Sequence, residues 1–250
     1  MIQIGNVYNN YKDYLINIKE YIVKDSKEVC ILCHGFCSWK DSDSIVTVAK
    51  RLNKDGITAI ALDFPCHGDS NLSPEYLRVE NCISDIKVLE EYIKEKYKVD
   101  KISIFGVSFG AYIILNKVIR EKKGYYKNII LRSPAIDMKN ILINCLIKES
   151  INDFKKNRIV KAGHGGKKEV IYDFYEDLIK NDILKLYNKN ERIVLIQGNI
   201  DDTAPIEDTY KFIKLDKNLE LIEMKNVNHR MTGIELDMVA NIVNNIIKRK

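Results

Sequence analysis

Apolar and polar positions along the chain alternate between two rhythms. Short continuous apolar runs, each bounded by turn residues, recur at Glu28 to Cys33, Ile57 to Asp63, Lys101 to Phe105, Asn128 to Leu131, Arg192 to Gln197 and Leu219 to Met224. Runs of this length without an exposed face predict strands buried on both sides, as in a parallel sheet. Between them, apolar residues spaced by three and four predict helices over Ile45 to Lys54, Val79 to Tyr97, Phe109 to Arg120, Ile206 to Ile213 and Ile234 to Ile247. Strand, helix and strand repeating in this way predict an α/β fold with a mostly parallel sheet flanked by helices. A further strand is expected at Tyr14 to Val23. The rhythm breaks over Met138 to Asn190, a mixed and mostly helical-looking stretch around Gly163-His164-Gly165-Gly166, expected to be a small cap inserted within one domain spanning residues 1–250.

Composition narrows this picture without redirecting it. The chain has 250 residues, 46% hydrophobic and 30% charged, which excludes a disordered, collagenous or coiled-coil protein. No apolar run approaches the ~20 residues a membrane helix needs, and the polar stretch Met1 to Tyr21 does not read as an export signal. A cytoplasmic protein with no membrane span is therefore expected. The net charge of +5 comes from basic residues interspersed with acidic ones, so no nucleic-acid partner is implied. Six cysteines in a chain of this size without an export signal are expected to be reduced, mostly as small core residues. Cys30-Ile31-Leu32-Cys33-His34 spells a haem-attachment pattern, but it lies in a run that reads as a buried strand, so haem is not expected.

Chemistry concentrates in Gly106-Val107-Ser108-Phe109-Gly110, between a strand and an amphipathic helix. This is the G-x-S-x-G elbow in its proper setting. A sharp turn there strains the serine backbone and brings chains close, favouring glycine two residues on either side. It would present the Ser108 hydroxyl at the sheet's edge and the Phe109 N–H at a helix N-terminus, where a developing oxyanion is stabilised. A serine hydroxyl needs a histidine to take its proton, and that histidine needs a carboxylate to orient it. Asp201, in Gly198-Asn199-Ile200-Asp201-Asp202-Thr203-Ala204-Pro205, and His229, in Asn226-Val227-Asn228-His229-Arg230, both follow strands and occur in the chain order Ser, Asp, His.

With these motifs in place, the chain from about Glu28 to Ile247 resembles the α/β-hydrolase family of serine esterases. His34-Gly35-Phe36 is similar to that family's oxyanion loop, and Asp63-Phe64-Pro65-Cys66-His67-Gly68-Asp69-Ser70 to its D-x-x-G-x-G-x-S stretch, with Cys66 in place of the first glycine. The acid loop G-x-x-D-x-x-V-P is matched by Gly198, Asp201 and Pro205, with Ala204 replacing valine. The resemblance implies Ser108 as nucleophile, His229 as general base and acid, Asp201 as orienting carboxylate with Asp202 as the alternative, and Phe36 and Phe109 as oxyanion donors. It implies no metal and no cofactor.

His34 and His67 read as residues that shape loops by hydrogen bonding. His164, Tyr172 and Tyr175 are candidates for substrate contact, with a surface loop the plainer reading of His164. Ile141, Leu142, Leu146, Ile151, Phe154 and Phe174 would line the same pocket with these tyrosines, or pack the cap on the sheet. The expected function is hydrolysis of a small-molecule carboxylic ester by a monomer or homodimer, with closest resemblance to cinnamoyl and feruloyl esterases and monoacylglycerol-lipase-like enzymes. A thioesterase or peptidase of the same fold, or a non-catalytic ligand-binding protein, are the alternatives. Dehalogenase and epoxide-hydrolase relatives carry aspartate at the Ser108 position and are disfavoured.

Overall fold

The computed structural model describes residues 1–147, 149–163, 166 and 168–249. In chain order its elements begin with β1 (Ile2–Asn9), β2 (Tyr14–Tyr21), β3 (Val29–Cys33), α1 (Asp43–Lys54), β4 (Thr58–Leu62), α2 (Val79–Tyr97), β5 (Ser103–Val107), α3 (Phe109–Arg120) and β6 (Asn128–Arg132). There follow α4 (Met138–Ile141), a π turn at Leu142–Leu146, α5 (Ile151–Asn157), β7 (Ile159–Ala162), β8 (Lys168–Ile171), α6 (Tyr172–Lys180) and α7 (Ile183–Leu186). The chain closes through β9 (Ile193–Gly198), α8 (Ile206–Ile213), β10 (Leu219–Met224) and α9 (Ile234–Lys248).

Eight strands form one sheet in the order β1-β2-β4-β3-β5-β6-β9-β10. The six strands from β4 to β10 run parallel, and β2 joins β4 antiparallel with β1 antiparallel outside it. The central strands are buried at every position, which is why they read as unbroken apolar runs. Their side chains divide between two cores. Cys30, Leu32, Phe105 and Val107 face the layer made by α1 and α9, whereas Ile31, Cys33 and Ile104 face α2 and α3. Cys30 and Cys33 thus lie on opposite faces of the sheet, both fully buried.

Two expectations change. The N-terminal stretch, expected to hold only the strand from Tyr14, also forms β1, an edge strand whose residues are mostly exposed and therefore carry no strong apolar pattern. The stretch 138–190 is mostly helical as expected, but it also contains the antiparallel hairpin β7–β8, with Gly163 and Gly166 between its strands. Phe154 and Phe174 from this stretch are fully buried and join the core on the α2 and α3 side, with Ile141 and Leu142 beside them.

Candidate active site

Three loops at the C-terminal ends of strands carry the residues singled out by sequence. Ser108 follows β5 with φ 51° and ψ −108°, a conformation that costs a non-glycine residue about 1–3 kcal/mol. The surroundings hold it there: its N–H donates to Arg132 C=O at 3.0 Å, and its own C=O accepts from Tyr112 N–H at 3.1 Å. The flanking glycines are required by proximity and not by dihedral angle. A Cβ on Gly106 would stand 2.5 Å from Ile114 Cδ1, and one on Gly110 would strike the Cys33 and His34 carbonyls.

Asp201 and His229 meet across the loops after β9 and β10. His229 Nδ1 lies 2.9 Å from both carboxylate oxygens of Asp201, which fixes the ring proton on Nδ1 and leaves Nε2 free. The carboxylate also accepts from Thr203 N–H at 3.1 Å and Ala204 N–H at 2.8 Å. Gln197, buried at the end of β9, tightens the same loop by donating to the Ala204 C=O at 2.6 Å while accepting from the Thr209 hydroxyl. Asp202 points elsewhere and pairs with the Asn228 amide at 3.0 Å.

Ser108 and His229 line one open cleft of about 280 Å³, shared with Gly35, Phe36, Ser42, Ser44 and Arg132. No hydrogen bond joins Ser108 to His229 among the described residues; they meet as walls of this cleft. The N–H groups of Phe36 and Phe109 have no acceptor within the chain among the described residues, and the two rings pack edge to face at 5.6 Å. Phe174 of α6 stacks on Phe36 at 6.0 Å, tying the stretch 138–190 to the loop after β3.

The two loop histidines are neutral by construction. His34 Nδ1–H donates to the Gly35 C=O at 2.7 Å and Nε2 accepts from the Phe64 N–H at 3.1 Å, and complete burial lowers its pKa to about 4. His67 Nδ1 bonds to the Pro65 C=O at 2.9 Å while its buried Nε2 has no partner among the described residues, and burial holds its pKa well below the usual histidine range. Cys66, where the resemblance expects glycine, does adopt the left-handed conformation with φ 64°, and its thiol donates to the Ser73 C=O at 2.9 Å.

The proposed substrate contacts fare differently. His164 lies outside the described residues. Tyr172 and Tyr175 do not line the cleft; they cluster with Phe154, with ring centroids 5.1 Å and 6.3 Å from it. Sequence reasoning passed over Arg132, a cleft-wall residue that is 97% buried. A lone charge closing the apolar run Asn128-Ile129-Ile130-Leu131 was its available signal.

Comparison with known proteins agrees with this architecture. The family model described as serine aminopeptidase, S33, matches residues 24–220. Among solved structures, Est1E from Butyrivibrio proteoclasticus with bound ferulic acid superposes with a TM-score of 0.83 at 19% identity, covering 97% of each chain. Alpha/beta hydrolase domain-containing protein 10 from mouse gives 0.77 at 15% identity, covering 98% of each chain. The esterase domain of a Rhodothermus marinus protein gives 0.74 at 14% identity, over 98% of this chain and 97% of that one. Among curated proteins, none matches in sequence.

Proposed function

The chain belongs to the serine aminopeptidase S33 family and has the α/β-hydrolase fold, and from that premise we propose that it is a serine hydrolase cleaving carboxylic esters through an acyl-enzyme on Ser108. The observation that carries the reading is the strained Ser108 backbone, set in the same cleft as a histidine whose Nδ1 is held by Asp201. In this mechanism Ser108 Oγ attacks the ester carbonyl while His229 Nε2 takes its proton. The Phe36 and Phe109 N–H groups stabilise the oxyanion. Collapse of the tetrahedral intermediate breaks the bond to the alcohol oxygen, which leaves with the proton from His229. Water, deprotonated by the same imidazole, then releases the acid and restores Ser108.

Three features support ester cleavage by general base catalysis at Ser108. Nδ1 of His229 is held by Asp201, two N–H groups near the nucleophile have no acceptor among the described residues, and the structural neighbours include an esterase domain. The family description, which names an aminopeptidase, favours amide cleavage as the second reading.

The test compares hydrolysis of p-nitrophenyl acetate, butyrate and octanoate by the intact protein and by Ser108→Ala, with circular dichroism reporting the fold of both. An aminoacyl-p-nitroanilide and an acyl-thioester run alongside. Loss of ester hydrolysis and of fluorophosphonate labelling in the folded variant is expected. Equal rates in the two proteins would overturn the assignment of Ser108, and faster turnover of anilide or thioester would transfer the enzyme to that leaving group.

A further inference from the structure

Arg132 is a buried charge with no carboxylate in direct contact among the described residues, although Asp201 and Glu235 act on it from farther off. It ends β6, is 97% buried, and makes no ion pair among the described residues. Its Nη1 donates to the Ser44 hydroxyl at 3.1 Å and its Nη2 to the His229 carbonyl, while its buried Nε–H has no acceptor among the described residues. The two carboxylates that act on it from a distance direct their oxygens to other donors: Asp201 to His229 and two N–H groups, and Glu235 to the Thr232 N–H at 3.1 Å. Burying a guanidinium costs several kcal/mol unless an anion answers it. Its two direct partners, a carbonyl and a hydroxyl, are both neutral, so an anion in the cleft would be its first direct counter-ion. Burial lowers the group only to about 10, so it stays cationic at neutral pH.

The wall adjoining Arg132 supplies a second donor set. Helix α1 begins at this cleft, and its N-cap Ser42 makes no capping bond with its side chain. The first N–H groups of the helix, on Asp43 and Ser44, therefore carry the helix's positive end into the space that Arg132 borders. Hydroxyls of Ser38, Ser42 and Ser44 line the same space, with exposed Arg230 and exposed Asp43 among its lining residues. Asp43 is the one carboxylate on that wall, against two guanidiniums.

We propose that this part of the cleft is an anion subsite, formed by Arg132 and the uncapped start of α1, and that the substrate is an ester bearing a carboxylate that docks there. The inference rests on the esterase reading of Ser108 and narrows its substrate class. Charge-assisted bonds to a partly enclosed guanidinium are worth about 1.5–3 kcal/mol, or roughly ten- to a hundredfold in kcat/KM.

The experiment pairs each anionic ester with a neutral counterpart: 4-acetoxybenzoate against 4-acetoxybenzamide, and mono-p-nitrophenyl glutarate against p-nitrophenyl hexanoate. The intact protein is expected to prefer the anion in at least one pair by about tenfold or more. Arg132→Met should bring that ratio to about one or below, and the ratio cancels any general damage to His229. Arg230→Gln, on an exposed residue, keeps the test open if Arg132→Met fails to fold, and should lower the preference by a few-fold. Ratios near one in both pairs of the intact protein, or a preference that survives every variant, would overturn the proposal. If no ester is cleaved and no fluorophosphonate is taken up, the esterase reading fails on its own. Calorimetric titration of glutarate then decides the subsite: binding lost in the variants upholds it, and absence of binding refutes it.

Discussion

Asp201 and Asp202 are neighbours in the chain with opposite surroundings, and that difference makes them separable by experiment. The Asp201 side chain is fully buried against His229, whereas Asp202 faces solvent and links its loop to Asn228, a contact that holds its carboxyl below the usual range. Asp201→Asn is expected to lower kcat by about 10³–10⁴, because the amide cannot hold the required tautomer of His229. Asp202→Asn should stay within a few-fold; steady-state kinetics on one p-nitrophenyl ester checks both. His67 allows a test of stability instead of rate. His34 and His67 are buried as neutral rings with pKa values lowered by desolvation. Below about 6.5 the unfolded chain therefore binds protons that the folded chain refuses, and stability falls as pH falls. Burial raises Asp85 to about 7 and works in the reverse sense, its contribution being lost as pH rises through that value. In His67→Phe the unsatisfied Nε2 disappears, and the new ring stays among Phe36, Phe109 and His34. Chemical denaturation should find the variant within about 1 kcal/mol of the parent at pH 7.5. As pH drops to 5.5 it should become the more stable of the two, by up to about 1.4 kcal/mol per pH unit.

The parallel strands and the longer amphipathic helices were the readable elements. The helices Val79–Tyr97, Phe109–Arg120 and Ile206–Ile213 have the bounds that three-and-four spacing predicts, and the six core strands fall within two residues of theirs. β1 escaped because an exposed edge has no apolar rhythm, and β7–β8 because alternation over four residues per strand is too short to distinguish from a helix turn. The site divides along the same line. The elbow around Ser108 is a local motif, dictated by chain contacts that only glycine permits. Arg132 acquires its meaning from Ser44 and His229, residues 88 and 97 positions away, so no local pattern announces it. Two glycines make the elbow's steric requirement measurable. Gly110→Ala would press a methyl group into the Cys33 carbonyl and is expected to cost more than about 3 kcal/mol or to prevent folding. Gly5→Ala, in β1 with open space around it, should instead raise stability by about 0.5–1 kcal/mol in thermal melts.

At the scale of the whole molecule, the stretch 138–190 is fastened to the sheet's helical layer at a few identifiable points. Arg78, just before α2, makes a two-pronged ion pair with Asp177 of α6 at 2.6 and 2.8 Å. Tyr112 and Arg120 of α3 both reach Asn181, the first through its hydroxyl to the backbone carbonyl at 3.0 Å. Asp177 is nearly buried, so Arg78→Ala leaves a carboxylate stranded and should destabilise by about 1–3 kcal/mol. Faster proteolytic nicking within 138–190 is expected alongside, read by limited digestion. The parallel sheet also sets a timetable. The loops carrying Ser108, Asp201 and His229 follow β5, β9 and β10, and β10 pairs with β9 alone, at the sheet's far edge. Because a ribosome delivers the chain from its N-terminal side, the elbow can form long before the strand that brings the histidine. On the catalytic reading above, a growing chain carries its nucleophile in an inert form while the 121 residues from Phe109 to His229 are added, and turns competent as the final strand zips into place.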